Sequence, residues 1–177
     1  MILDLFYKRR SKRSFLDKAV EEEKQEALVQ ALLLSPTSKN NYPWEFVFVD
    51  APEIIGKLAA AKEHGSSFLQ GAPLAVVVAA DPKKSDVWVE DCSIAATFLQ
   101  LAAEDMGLGS CWIQIRNRPH PSGISAGDYV KRTCSLPEHL DVDSIIALGY
   151  PAEEKPQKRK EELLREKIHK NFFNNEG

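Results

Sequence analysis

The chain has 177 residues, 44% of them apolar and 28% charged, with a formal net charge of −3. That length suits one compact domain whose core needs neither disulfides nor a metal to hold it. The mild negative charge argues against a general nucleic-acid or anionic-membrane binder, which needs excess Lys and Arg. No apolar run approaches the roughly 20 residues that span a bilayer.

In chain order, Ile2 to Lys8 reads as a short helix. The opening, MILDLFYKRR, has its apolar stretch broken by Asp4 and placed before the basic residues, the reverse of a secretory leader. RRSKRSF, residues 9 to 15, then packs four basic side chains and two hydroxyls into seven positions. Such a cluster suits a solvated loop, a nucleic-acid arm or a grip on a cofactor phosphate, whose oxygens match the planar fork of arginine. VEEEKQEALVQALLLSP is a helix with acids at its start and Pro36 as its stop. SPTSKNNYP is turn chemistry, with small donors and acceptors able to edge a polar ring or simply to turn the chain.

EFVFVD reads as a strand and PEIIGKLAAAKE as a helix with Pro52 in its first turn. PLAVVVAAD is nearly all apolar and β-branched, as in a strand covered on both faces. DVWVEDCSIAATFLQLAAEDMG is apolar on most sides in its middle and reads as a central buried helix. Gly107 and Gly109 end it, SCWIQI is the next strand, GISAGDYVKRTCSL a helix and VDSIIALGY the last strand. After Pro151 the composition turns charged, yet Leu164, Ile168 and Phe172 recur at spacing four, as on one stripe of a helix. Strands separated by helices make a layered α and β domain with helices on both faces of one sheet.

Cys92, Cys111 and Cys134 form no C-x-x-C pair, so neither a disulfide framework nor a zinc site is indicated, and a reducing cytoplasm is expected. Cys111, beside Trp112 in an apolar strand, reads as buried and inert. His64, His120, His139 and His169 lack ligand spacing. Asp91 reads as a helix-surface carboxylate, and Arg116 and Arg118 as an edge pair that also suits an acidic ligand. No G-x-S-x-G, H-E-x-x-H or Walker loop occurs. Chemistry lodged in a cofactor fits that absence.

Five stretches, taken together and in order, resemble the nitroreductase family of flavin-dependent enzymes: RRSKRSF, SPTSKNNYPWEFVFV, GAPLAVVVAAD, LAAEDMGLGSCWI and IIALGYPAEEKP. The resemblance implies an α+β layered fold with a central mixed sheet flanked by helices. Residues 1–151 would form the FMN-binding domain, and 152–177 an extension wrapping the partner of a homodimer. It implies bound FMN, with NADH or NADPH as electron donor and a nitroaromatic, quinone or similar small acceptor served by a ping-pong mechanism. Neither nucleic acid nor membrane is an expected partner. Carried over, Arg9, Arg10, Ser11 and Arg13 hold the phosphate and ribityl end. Pro36, Thr37, Ser38 and Asn40 reach the isoalloxazine from the partner subunit, and Lys158 and Lys160 add to the phosphate grip. Ile113 and Gln114 lie beside the ring. Many members have glycines after the Cys-Trp-Ile strand where this chain has Gln114 and Ile115, a difference bearing on substrate access. No side chain is assigned to acid–base work. The alternative is a flavin carrier or sensor without turnover, which the same motifs would serve.

Overall fold

The computed structural model describes residues 2–173. Five α-helices and four strands follow one another: α1 (Ile2–Lys8), α2 (Glu22–Leu33), β1 (Trp44–Val49), α3 (Pro52–Ala59), β2 (Leu74–Ala80), α4 (Trp88–Asp105), β3 (Gly109–Gln114), α5 (Ala126–Thr133) and β4 (Asp141–Gly149). The sheet order is β1-β2-β4-β3, and every neighbouring pair is antiparallel. The α+β class stands. The mixed character expected of the sheet is confined, among the described residues, to one parallel bridge between Ser11 and Ser110.

The sheet separates two cores. β2 is buried along its whole length, and its side chains alternate between the two sides. Leu74, Val76 and Val78 meet Leu28 and Leu32 of α2 and Ala95, Ala96 and Leu99 of α4. Ala75, Val77 and Ala79 meet Ile55 and Leu58 of α3 and Val130 of α5. β2 and β4 fall out of step between Val78 and Ala79, leaving Asp143 as an extra residue on β4.

Local chemistry sets the element ends. α2 begins with Glu22 and Glu23, and Ser35 closes its end by donating to the Leu32 carbonyl at 2.6 Å. Pro52 opens α3. Ser125 caps α5 by accepting the Asp128 N–H at 2.9 Å. Gly149 stands where β4 passes Pro73; a Cβ there would lie 2.5 Å from the proline ring.

The helix expected after Pro151 does not form. Residues 160–162 and 165–167 make single 3₁₀ turns, and Leu164, Ile168, Phe172 and Phe173 are 65%, 82%, 73% and 79% exposed. An amphipathic stripe gains helical stability chiefly from a surface to pack on, and the rest of the chain leaves most of this one uncovered. Residues 174–177 of the expected extension lie outside the described residues. No helix among the described residues is long and apolar enough to cross a membrane.

Candidate functional site

The basic segment runs along the outer edge of β3. Lys12 N–H donates to the Ser110 carbonyl at 2.9 Å, which adds a short stretch of chain beyond the last strand. On its other side it is tied to the residues after β4. Leu16 N–H donates to Tyr150, Ala152 N–H to Ser14 and Lys158 N–H to Tyr7, all at 2.8–2.9 Å. The sheet thus fixes the backbone from Tyr7 to Leu16 along much of its length.

That placement gathers positive charge around Cys111. Burial pushes the Cys111 thiol up, while Arg13, a Ser11 hydrogen bond, Lys155 and Arg9 pull it down. Arg9, Ser11, Arg13 and Lys155 therefore all lie within electrostatic reach of one sulfur at the start of β3. Burial holds Lys62 below its ordinary range, helped by the nearby Arg118. The Arg13 guanidinium sits 5.8 Å from the Phe68 ring centre. Cys111 itself is 1% exposed, which bears out its reading as an enclosed thiol.

The four residues of the motif divide their work. Among the described residues, no acid and no carbonyl takes a hydrogen bond from the guanidinium of Arg9 or Arg13. Arg10 instead reaches the Pro156 carbonyl. Lys12 turns inward, 9% exposed, and donates to the Glu153 carbonyl at 3.0 Å. The cluster is thus neither a solvated run nor a loose arm.

Arg9 and Lys158 line one open groove of about 510 Å³ together with Leu3, Phe6, Tyr7 and Glu162. Lys160 stands outside that lining, and Arg159 is engaged with Glu162 at 3.3 Å. Of the late basic residues, Lys158 is the one placed beside Arg9.

Ile113 points its side chain into the α3/α5 core at 1% exposure. Its backbone faces β4, because partners alternate along an antiparallel edge and Ser110 already faces outward to Lys12. The same alternation turns the backbone of Trp112 and Gln114 to the open edge. The Gln114 side chain is held internally, accepting from Trp112 Nε1 at 3.0 Å and donating to the Arg116 carbonyl at 3.0 Å. Arg116 lies over the Trp88 ring at 5.6 Å, and Arg118 bonds the carbonyl of Asn117.

The 35–41 loop is elsewhere. It leads into β1, at the opposite edge of the sheet from β3. Pro36 and Thr37 lead into a single 3₁₀ turn of Ser38 to Asn40, and Lys39 and Asn40 have φ of 53° and 55°. Asp91 anchors this loop. Its carboxylate accepts the Ser38 N–H at 2.8 Å and the Ser85 hydroxyl at 2.8 Å, and it is 2% exposed. The expectation of a surface carboxylate is thus overturned: Asp91 is a buried strut between the start of α4 and the loop. At the far end of α4, burial raises Glu104 while Lys12, Arg9 and Lys8 pull it down. Thirteen residues of helix, about 20 Å, separate Asp91 from Glu104. Opposite edges of the sheet and opposite ends of α4 keep the loop and the basic segment of one chain apart.

Sequence reasoning missed Glu153, Lys155 and Lys12 as supports of the basic segment, and Lys62 as a neighbour of it. Glu153 and Lys155 pair with each other, but they and Lys12 reach the segment through two carbonyls and one backbone N–H, which leave no trace in residue type.

The sequence model of the Nitroreductase family matches residues 7–64 and 56–150. A protein of Archaeoglobus fulgidus named "Putative NADH dehydrogenase/NAD(P)H nitroreductase" is 36% identical over 157 residues, covering 86% of this chain and 87% of its own. Among solved structures, an FMN-dependent nitroreductase from Clostridium difficile R20291 aligns with a TM-score of 0.95 and 43% identity, over 97% of this chain and 99% of its own. The NADPH:FMN oxidoreductase of Vibrio harveyi, solved with NAD+, shares the fold at a TM-score of 0.81 and 23% identity, over 97% of this chain and 77% of its own. Motifs, fold and relatives agree: the chain belongs to the nitroreductase family of oxidoreductases.

Proposed function

We propose that this protein is an FMN-dependent oxidoreductase, working as a homodimer in the reducing cytoplasm that its three unpaired cysteines suit. Bound FMN would supply the redox chemistry, taking hydride from NADH or NADPH and passing electrons to a nitroaromatic, quinone or similar small acceptor in a ping-pong sequence.

The observation that carries this reading is the convergence of Arg9, Ser11 and Arg13 at the β3 edge, with two guanidiniums left open among the described residues. That donor set fits a phosphate monoester: two planar forks for its oxygens and a hydroxyl between them. Lys158, lining the same groove as Arg9, adds a third cation, and Arg10 and Lys160 extend the positive field. The outward N–H of Gln114 suits the edge of a flat ring system, whereas Ile113 contributes only packing behind it.

Pro36, Thr37, Ser38 and Asn40 belong to the ring end of the site in this reading, supplied by the partner subunit. Their distance from the basic segment within one chain supports a shared site. Residues 152–177 would wrap the partner and cover the exposed Leu164, Ile168, Phe172 and Phe173. The protein needs no side chain to move a proton for hydride transfer. Its tasks are to hold the phosphate, orient the ring and keep water from one face.

The test is the absorption spectrum of the purified protein before and after anaerobic NADH and NADPH, with mass spectrometry of the released cofactor. FMN reduced by either nucleotide is the expected result. FAD, or no flavin after reconstitution, overturns the reading. FMN that neither nucleotide reduces would mark a carrier or sensor instead.

A further inference from the structure

The basic segment and the stretch after Pro151 are clasped by side chains as well as by backbone. Lys12 donates to the Glu153 carbonyl at 3.0 Å, and Lys155 returns the gesture to the Ser11 carbonyl at 2.7 Å. Between them the Glu153 carboxylate accepts the Arg13 N–H at 2.7 Å and pairs with Lys155 at 3.1 Å. The side chains of Lys155 and Glu153 are only 26% and 30% exposed, so water screens the pair incompletely. Gly109 makes room for the clasp, since a Cβ there would stand 2.9 Å from Lys12 Cβ.

Two physical effects follow. The carbonyl of Ser11 and the N–H of Arg13 are pinned on either side of residue 12, which fixes the direction in which the Ser11 hydroxyl and the Arg13 guanidinium leave the chain. The Glu153 carboxylate would also repel an anion bound at Arg13, and Lys155 cancels that charge where it arises. Both lysines spend their charge on the frame, and Arg9 and Arg13 keep theirs for a ligand.

We propose that Glu153 and Lys155 are positioning residues that aim Ser11 and Arg13 at a phosphate group, and that this clasp sets the preference for phosphorylated over unphosphorylated flavin. The proposal rests on the FMN reading above. It assigns to the pair a role in discrimination rather than in general stability. A merely structural pair would affect both forms of the ligand alike. A positioning pair acts only on the one that carries the phosphate.

The experiment titrates FMN and riboflavin into full-length flavin-free protein, following flavin fluorescence, for wild type, Lys155→Met, Glu153→Gln and Lys155→Arg. Lys155→Met leaves the carboxylate uncancelled and is expected to weaken FMN at least tenfold, with riboflavin within twofold of wild type. Glu153→Gln keeps an acceptor for the Arg13 N–H but removes the repelling charge, and is expected to tighten FMN severalfold with riboflavin within twofold of wild type. Lys155→Arg keeps a donor for Ser11 and a partner for Glu153, and should restore FMN to within threefold. Should Lys155→Met fail to fold, Glu153→Gln and Lys155→Arg decide the matter on the same ratio. An unchanged ratio of the two affinities in Lys155→Met and Glu153→Gln, given a wild type that binds FMN, overturns the clasp and leaves the FMN reading standing, as does an equal loss of both ligands. A wild type that binds neither flavin overturns both.

Discussion

Asp91 accepts the backbone N–H of Ser38 across 53 positions of sequence, at 2.8 Å, and so ties the loop before β1 to the first turn of α4. A buried carboxylate with both bonds made is stabilising; without them it is costly. Asp91→Ala is expected to lose about 1.5–3 kcal/mol for each charged hydrogen bond removed, read as a lower midpoint in urea unfolding. The loop should also become the most altered region in amide exchange. An unchanged midpoint would show that the strut contributes nothing.

Arg9 and Arg13 present open guanidiniums beside Ser11, whereas Arg10 is spent on Pro156. Replacing Arg9 or Arg13 with Ala should remove charge-assisted bonds of about 1.5–3 kcal/mol, weakening FMN roughly tenfold to a hundredfold. Riboflavin should be little affected. Calorimetric titration of both ligands checks this, and equal losses would mean that these arginines do not read a phosphate.

Leu164, Ile168, Phe172 and Phe173 stand in water in the single chain. Covering each large apolar side chain is worth roughly 1.5–3 kcal/mol. A protein truncated after Glu162 is therefore expected to sediment as a monomer and to lose its flavin in the same step. A truncated chain that remains a dimer with full FMN content would reject a wrapping tail.

Glu21 accepts the Tyr150 hydroxyl at 2.7 Å, and that bond, its own backbone N–H and Lys18 together hold its carboxyl down to about 2 from an ordinary 4.5. The folded state thus keeps Glu21 ionised where the unfolded chain takes up a proton. Stability from this source is fully present above pH 4.5 and is lost as the pH falls toward 2. Tyr150→Phe should be less stable than wild type near neutrality, and the difference should shrink across that acid window. Parallel acid-unfolding curves for the two proteins would contradict the assignment.

Gly149 passes so close to Pro73 that a methyl group has no room at 2.5 Å from the ring. Gly149→Ala should cost about 1–3 kcal/mol by overpacking, seen as a lower melting temperature. The sheet end that carries Tyr150 and Pro151 should be the part disturbed.

Much of this molecule is legible in its residues. The all-apolar run around Val76 and Val77 announces a strand covered on both faces, and Pro52 marks a helix start. Strand direction was less accessible, because a helix between two strands is compatible with either sense. Asp91 escapes a sequence reading because an acid in a first helical turn ordinarily faces water, and its partners, the Ser38 N–H and the Ser85 hydroxyl, lie outside its own helix. The Leu164, Ile168, Phe172 stripe spoke of a helix, yet periodicity states only what a segment would do with a surface beneath it. RRSKRSF announces a local gathering of positive charge, but not its division of labour. That Lys12 turns inward while Arg9 and Arg13 stay open depends on Gly109, Glu153 and Lys155.

The clasp joins Arg13 to Glu153 over 140 positions and Ser11 to Lys155 over 144. Contacts so distant along a chain carry a larger closure entropy than local ones and tend to form late. During synthesis the arginines leave the ribosome early, and Glu153 and Lys155 follow more than a hundred residues later. A nascent chain therefore has the charge for a phosphate long before it has the geometry. If the segment holds a flavin phosphate as proposed, capture would wait for the completed clasp, and a product stalled before Glu153 would carry the motif without its frame.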